Sequence, residues 1–158
     1  MKNILILIVL FNIYSCSSNK TAEEYWNDAK MSRVEENSMD AISNYKKIIE
    51  LHPDNDLAAK SQFQIADIYL NDIKDYEYSI DEFEKVISKY KGHDVAKKSL
   101  FMIGYIYNNY LDAYTDAISK YELFLNTYPN DELAPSVVYE LEGLEKINIT
   151  INELIKNK

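Results

Sequence analysis

Three segments of this chain align without a gap at a spacing of 38 residues: Glu36–Asn55, Lys74–His93 and Asp112–Asp131. The matching columns are chemically consistent: Ala41, Ser79 and Ala117; Ile42, Ile80 and Ile118; Tyr45, Phe83 and Tyr121; Ile48, Val86 and Phe124. A period of this length marks one supersecondary unit that cannot bury its apolar face alone, so copies must stack into a continuous core. Within each segment the apolar residues fall at i, i+3 or i+4 and i+7, as in Ile42, Tyr45 and Ile49, which is one face of a helix. The preceding stretches repeat too, Ala58–Tyr69 against Ala96–Tyr107. Each unit is therefore expected to be a pair of helices.

Breakers and caps place the joints. Pro53 and Pro129 end the second helices, Gly92 takes that role where proline is absent, and Asp54/Asn55 and Asn130/Asp131 offer caps to the next helix. Ala66 and Gly104 are expected at the crossing points opposite Ser79 and Ala117, where small side chains let the axes approach. The first helix is expected over Ala22–Glu35. A seventh, over Glu132–Ile147, carries Leu133, Val137, Val138, Leu141 and Leu144 at helical spacing and tolerates Pro135 in its first turn. With 3 Gly and 3 Pro, the chain has too few turn signals for a barrel or sandwich. The fold class is all-α: three helix-turn-helix repeats plus a C-terminal capping helix.

The first residues read as an address. Met1 and Lys2 precede an apolar run from Ile4 to Tyr14, interrupted by Asn12 and too short for the roughly 20 residues a spanning helix needs. The run ends in Ile13-Tyr14-Ser15-Cys16, which resembles a bacterial lipobox. That resemblance implies lipidation of Cys16, the only cysteine, through attack of its thiolate on a lipid donor. Ser17 rather than Asp follows it, which implies export to the outer membrane. The expected organisation is a signal peptide over 1–15, a lipidated N-terminus and short tether over 16–21, a repeat domain over 22–147 and a tail over 148–158.

A small residue and then Tyr in the first helix, followed by Ala-Ile-x-x-Tyr and Pro eight residues on in the second, resembles the tetratricopeptide (TPR) family. The resemblance implies a right-handed solenoid. Its 38-residue period departs from the usual 34, and this lengthened form resembles the TPR lipoprotein of the outer-membrane β-barrel assembly machinery and the Tol-Pal-associated TPR protein. It differs from both, having three repeats and no heptad region. In TPR proteins the first helices line a concave groove, and the resemblance implies that Lys60, Asp67 and Asn71, with Lys98, Tyr105, Asn108 and Asn109, face a partner there. Trp26, Phe63 and Phe101 form a neighbouring row, read as inter-repeat packing with groove anchors as the alternative.

Other chemistries find little support. The formal charge of −9 and a single arginine, Arg33, disfavour nucleic acid. His52 shares the register of Tyr90 and Tyr128, and His93 that of the cap residues Asn55 and Asp131, so neither reads as a metal or catalytic residue. Paired cysteines, a phosphate-cradling loop and a nucleophile elbow are missing, so no cofactor, metal or small-molecule substrate is expected. Of the 14 tyrosines, Tyr45, Tyr69, Tyr107, Tyr121 and Tyr128 lie on packing stripes. The expected function is a non-enzymatic, lipid-anchored, periplasm-facing scaffold for protein partners at the outer membrane. The alternatives are a Tol-Pal or peptidoglycan-coordinating factor and, less favoured, an enzyme subunit.

Overall fold

The computed structural model describes residues 20–156, with side chains from Lys20 to Ile147; Cys16 and the apolar leader lie outside the described residues. Among these residues there are seven α-helices and no strand: α1 (Ala22–Val34), α2 (Ser38–Leu51), α3 (Asp56–Ile68), α4 (Tyr76–Lys89), α5 (Asp94–Asn109), α6 (Tyr114–Thr127) and α7 (Ala134–Lys156). The starts of α2, α4 and α6 are 38 residues apart, so the periodicity in sequence is a periodicity in space. Each helix packs on the next, giving a solenoid of helical hairpins. No described helix is long and apolar enough to cross a membrane.

The core repeats with the same register. Ala41, Ser79 and Ala117 are buried, as are Tyr45, Phe83 and Tyr121 one turn on and Ile48, Val86 and Phe124 beyond them. Each large side chain taken out of water contributes about 1.5–3 kcal/mol, so every hairpin depends on its neighbours. The row Trp26, Phe63 and Phe101 packs on the second helix of its own hairpin: Trp26 on Tyr45 (5.1 Å), Phe63 on Phe83 (5.2 Å) and Phe101 on Tyr121 (6.0 Å). At one expected crossing the Ser79 hydroxyl donates to the Ala66 carbonyl at 2.8 Å. At the other, what lies against Gly104 is the ring of Tyr121 rather than Ala117; a Cβ there would sit 2.6 Å from a ring carbon.

The joints differ from expectation in one respect. Gly92 is not a left-handed cap, because no glycine has a positive φ. After α2, α4 and α6 the chain makes the same turn whether it holds Pro53, Lys91 or Pro129. Asn55, His93 and Asp131 donate their N–H to the carbonyls of His52, Tyr90 and Tyr128 (3.0, 2.9 and 3.2 Å). Their side chains then accept from the N–H two residues on, at Leu57, Val95 and Leu133. The capping residue of the next helix therefore sets these stops, and the breaker is incidental.

The left-handed residues lie instead at the hairpin turns, and none is glycine: Glu36 (φ 60°), Lys74 (φ 63°) and Asp112 (φ 50°), again 38 apart. The residue after each is the N-cap of the second helix. Asn37 and Asp75 cap it by accepting from the Asp40 and Tyr78 N–H, while Ala113 in the same register has no side chain to do so. Ala113→Asp is expected to stabilise the fold by about 1 kcal/mol, the usual worth of an N-cap, read as a higher urea midpoint with an unchanged slope.

The last helix starts at Ala134, two residues later than expected, and its backbone stays helical through Lys156, past the expected end at Ile147. Pro135 sits in its first turn, where its missing N–H is not needed. At the register of Ala66 and Gly104, where earlier hairpins bring two axes together, α7 carries the exposed Glu142. A charge at that point suits the polar outer face of a capping helix.

Candidate functional site: the inner face of the first helices

Successive first helices touch one another, α1 on α3 and α3 on α5, whereas successive second helices stand farther apart. This places α1, α3 and α5 on the inner side of the solenoid, and α7 continues it through the Asn108–Glu140 bond. The inner face divides into two halves of different chemistry.

Its N-terminal half is stitched together by Arg33, at the end of α1. The guanidinium reaches Asp72 with two nitrogens (2.9 and 3.0 Å), Asp67 at 2.6 Å and Gln64 at 3.1 Å, all from the second repeat. A π-helical turn over Tyr69–Ile73 extends α3 and carries Asp72, which brings both carboxylates to one cation. Partial burial works against the Arg33 charge, but the bonds to Asp72 and Asp67 outweigh it and hold the guanidinium above its ordinary value. Asn71 donates to Asp67 at 2.8 Å. Asp67 and Asn71 thus stand together, as the resemblance implies, but within a closed network that joins repeats.

The C-terminal half is aromatic and amide-rich. Tyr105 is half-buried between Phe101 and Tyr110 (ring centroids at 6.4 and 6.0 Å), and Tyr110 stacks on Tyr76 at 4.6 Å. Burial, with Tyr110 beside it, pushes the Tyr105 hydroxyl above its usual range, so it stays a neutral donor and acceptor. Asn109 is exposed and donates to the Tyr105 carbonyl (3.0 Å); Asn108 bridges to Glu140 on α7 (3.1 Å). Beside them a hollow of about 210 Å³ opens against Tyr139, Gly143 and Ile147. Gly143 occupies the register of Asp67 and Tyr105, and nothing lies within 4 Å of where its Cβ would be. Asn108 and the hollow therefore join α5 to α7, while Tyr105 and Asn109 lie beside them on α5.

The two lysines of the expected groove stand apart from it. Lys98 is exposed on α5, and Lys60 pairs with Asp56 in the first turn of α3, at the loop edge. That edge has its own ladder: His93 Nε2 meets Asp56 (2.9 Å), and Lys97 meets Asp131 (2.7 Å). His52 likewise bonds the Lys20 carbonyl (2.9 Å) and lies near the Tyr25 ring. These residues join loops, a use of histidine that spacing cannot distinguish from a core filler.

The Lys97 ammonium, followed by the Leu133 N–H, holds the Asp131 carboxyl below its usual range. A lowered carboxylate pKa stabilises the fold above the unfolded value near pH 4, and that contribution is lost as pH falls through the folded value. Asp131→Asn should therefore lie below wild type in thermal stability at pH 7 and converge with it once pH has fallen through the lowered Asp131 value.

Among the described residues no group of three or more His, Cys, Asp and Glu side chains could hold a metal ion. Stacked hairpins with an inner face of paired charges, tyrosines and amides define a TPR-like helical-repeat scaffold, a class built for protein interaction. The family model of the soluble NSF attachment protein, SNAP, matches residues 11–138, spanning α1 to α6 and the start of α7. The chain belongs to that family, an adaptor family of TPR-like helical hairpins. No curated protein matches the chain.

Proposed function

We propose that this protein is a lipid-tethered adaptor of a bacterial cell envelope, anchored through Cys16 in the outer membrane and facing the periplasm. It holds a polypeptide partner against the C-terminal half of its inner face. The observation that carries the binding surface is the contrast between the two halves. Arg33 occupies the carboxylates of the first, whereas the second presents the half-buried Tyr105 ring, the exposed Asn109 amide and, against α7, a hollow lined by Asn108 and Gly143. Tyrosine and amide surfaces suit polypeptide recognition because they offer contact area and hydrogen bonds at small entropic cost. The envelope setting rests on the resemblance of the first sixteen residues to a lipoprotein signal. Assembly of outer-membrane β-barrels is the first reading of the process and Tol-Pal or peptidoglycan coordination the second, both on the resemblance of the lengthened repeat and on compartment alone.

In-cell crosslinking with membrane fractionation tests both parts, using wild type, Cys16→Ala and Asn109→Arg. Outer-membrane fractionation lost in Cys16→Ala, with β-barrel assembly components captured by wild type and lost in Asn109→Arg, is the expected result. A wild-type protein that stays soluble would remove the tether. Capture that survives Asn109→Arg would move the partner off the inner face, and capture of Tol-Pal or wall-synthesis proteins would replace the process.

A further inference from the structure

The outer surface, made by the second helices, carries a feature that breaks the repeat. In the second repeat a polar triad plugs the junction of α3 and α4. Glu82, buried on α4, accepts from Gln62 of α3 at 2.5 Å and pairs with Lys85 at 2.6 Å. One repeat later the same three positions are Leu100, Lys120 and Leu123. The plug is absent there, and a hollow of about 470 Å³ opens between α4 and α6. Leu100 is its buried floor, Ile87 and Tyr128 line its sides, and Leu123 stands 49% exposed at its lip.

The rim carries one unpaired cation in an otherwise acidic protein. Lys120 is bonded to Glu84 (3.1 Å), which leaves that pair neutral, and Lys91 is exposed in the turn after α4 with no partner among the described residues. Lys91 and Tyr128 also line a second hollow of about 360 Å³, which runs on over the loop edge to Lys97. From Lys120 to Thr127 on α6 the slot spans two turns, about 10 Å of helix. A trough of that length between two helices accommodates the apolar stripe of a third helix, two anchors one turn apart. The positive end selects an anchor segment with a carboxylate beside it.

We infer that the slot between α4 and α6 is a second docking site, independent of the inner face, for a short amphipathic helix of a partner protein. That helix carries two bulky apolar residues one turn apart, with an Asp or Glu next to them. The repeat itself supplies the control, since Leu100→Gln, Lys120→Glu and Leu123→Lys together rebuild the sealed chemistry of the preceding groove. Leu123→Lys alone changes only a half-exposed side chain and leaves the core intact.

The test is selection of a random 12-residue peptide library on the full chain, followed by affinity measurements on the enriched peptides. The expected result is a consensus of two apolar residues at i and i+3 or i+4 with a flanking acid. Affinity should fall at least tenfold in Leu123→Lys and in the triple variant, and severalfold in Lys91→Glu, with circular dichroism unchanged in Leu123→Lys. Three results would each overturn the inference: peptides that bind Leu123→Lys as well as wild type, a consensus indifferent to Lys91→Glu, or binding abolished by Asn109→Arg instead. Concentration-dependent self-association removed by Leu123→Lys would also overturn it, by making a second copy the occupant.

Discussion

Replacing Gly104 by alanine is expected to destabilise the protein by about 2 kcal/mol, although alanine is the better helix former. The added methyl would lie 2.6 and 2.8 Å from two ring carbons of Tyr121, which is fully buried. That ring is held between Phe101 and the core around Phe124 and Val137, so it has nowhere to move. Overpacking of this kind costs about 1–3 kcal/mol, at the upper end where the neighbour cannot yield, and the helix-propensity gain of about 1 kcal/mol offsets part of it. Urea unfolding of Gly104→Ala measures the net loss. Tyr121→Phe should not rescue it, because the clash is with ring carbons and not with the hydroxyl, whereas Tyr121→Leu should recover part. A Gly104→Ala protein as stable as wild type would show that α5 and α6 can shift apart, and that the close crossing is not a fixed element of the hairpin.

Removal of the Arg33 side chain is expected to cost about 2 kcal/mol, the scale of charge-assisted hydrogen bonds that are partly shielded from water. Arg33→Ala would leave Asp67 and Asp72 facing each other across the first inter-repeat junction with no cation between them. The loss should be local. Hydrogen exchange should quicken in α1, α2 and the end of α3, while α5 and α6 keep their protection, since each repeat is held by its neighbours. Arg33→Lys keeps the charge but cannot engage Asp72 with two nitrogens while reaching Asp67 and Gln64, so it should recover less than half of the loss. Uniform acceleration across all helices would instead mean that the solenoid unfolds as a single unit.

Much of this architecture is legible in the amino-acid sequence because helix burial repeats every three to four residues and the repeat supplies independent copies of the pattern. Tyr45, Phe83 and Tyr121 agree on one register, and the helices that hold them begin where that register places them. Cap chemistry is legible for the same reason, since Asn55, His93 and Asp131 act on backbone N–H groups two residues away. Gly92 marks the limit: glycine permits a left-handed residue, but the turns that need one hold Glu36, Lys74 and Asp112, whose side chains announce nothing of the kind.

The candidate site is legible only in part. Placing Asp67, Asn71, Tyr105, Asn108 and Asn109 on the first helices follows from the repeat and from the TPR resemblance. That Asp67 is taken up by Arg33 does not follow, because the guanidinium acts across 31 to 39 residues of chain. The exchange of Gln62, Glu82 and Lys85 for Leu100, Lys120 and Leu123 is visible in the alignment of repeats, yet it means nothing until those positions are seen to share one groove. Sequence alone therefore determined the all-helical hairpins, their period and their inward faces, because each depends on interactions within a few turns of one helix. Tertiary structure decided which polar side chains neutralise each other and which surfaces stay open, because those depend on the distances that stacking sets between residues a whole repeat apart.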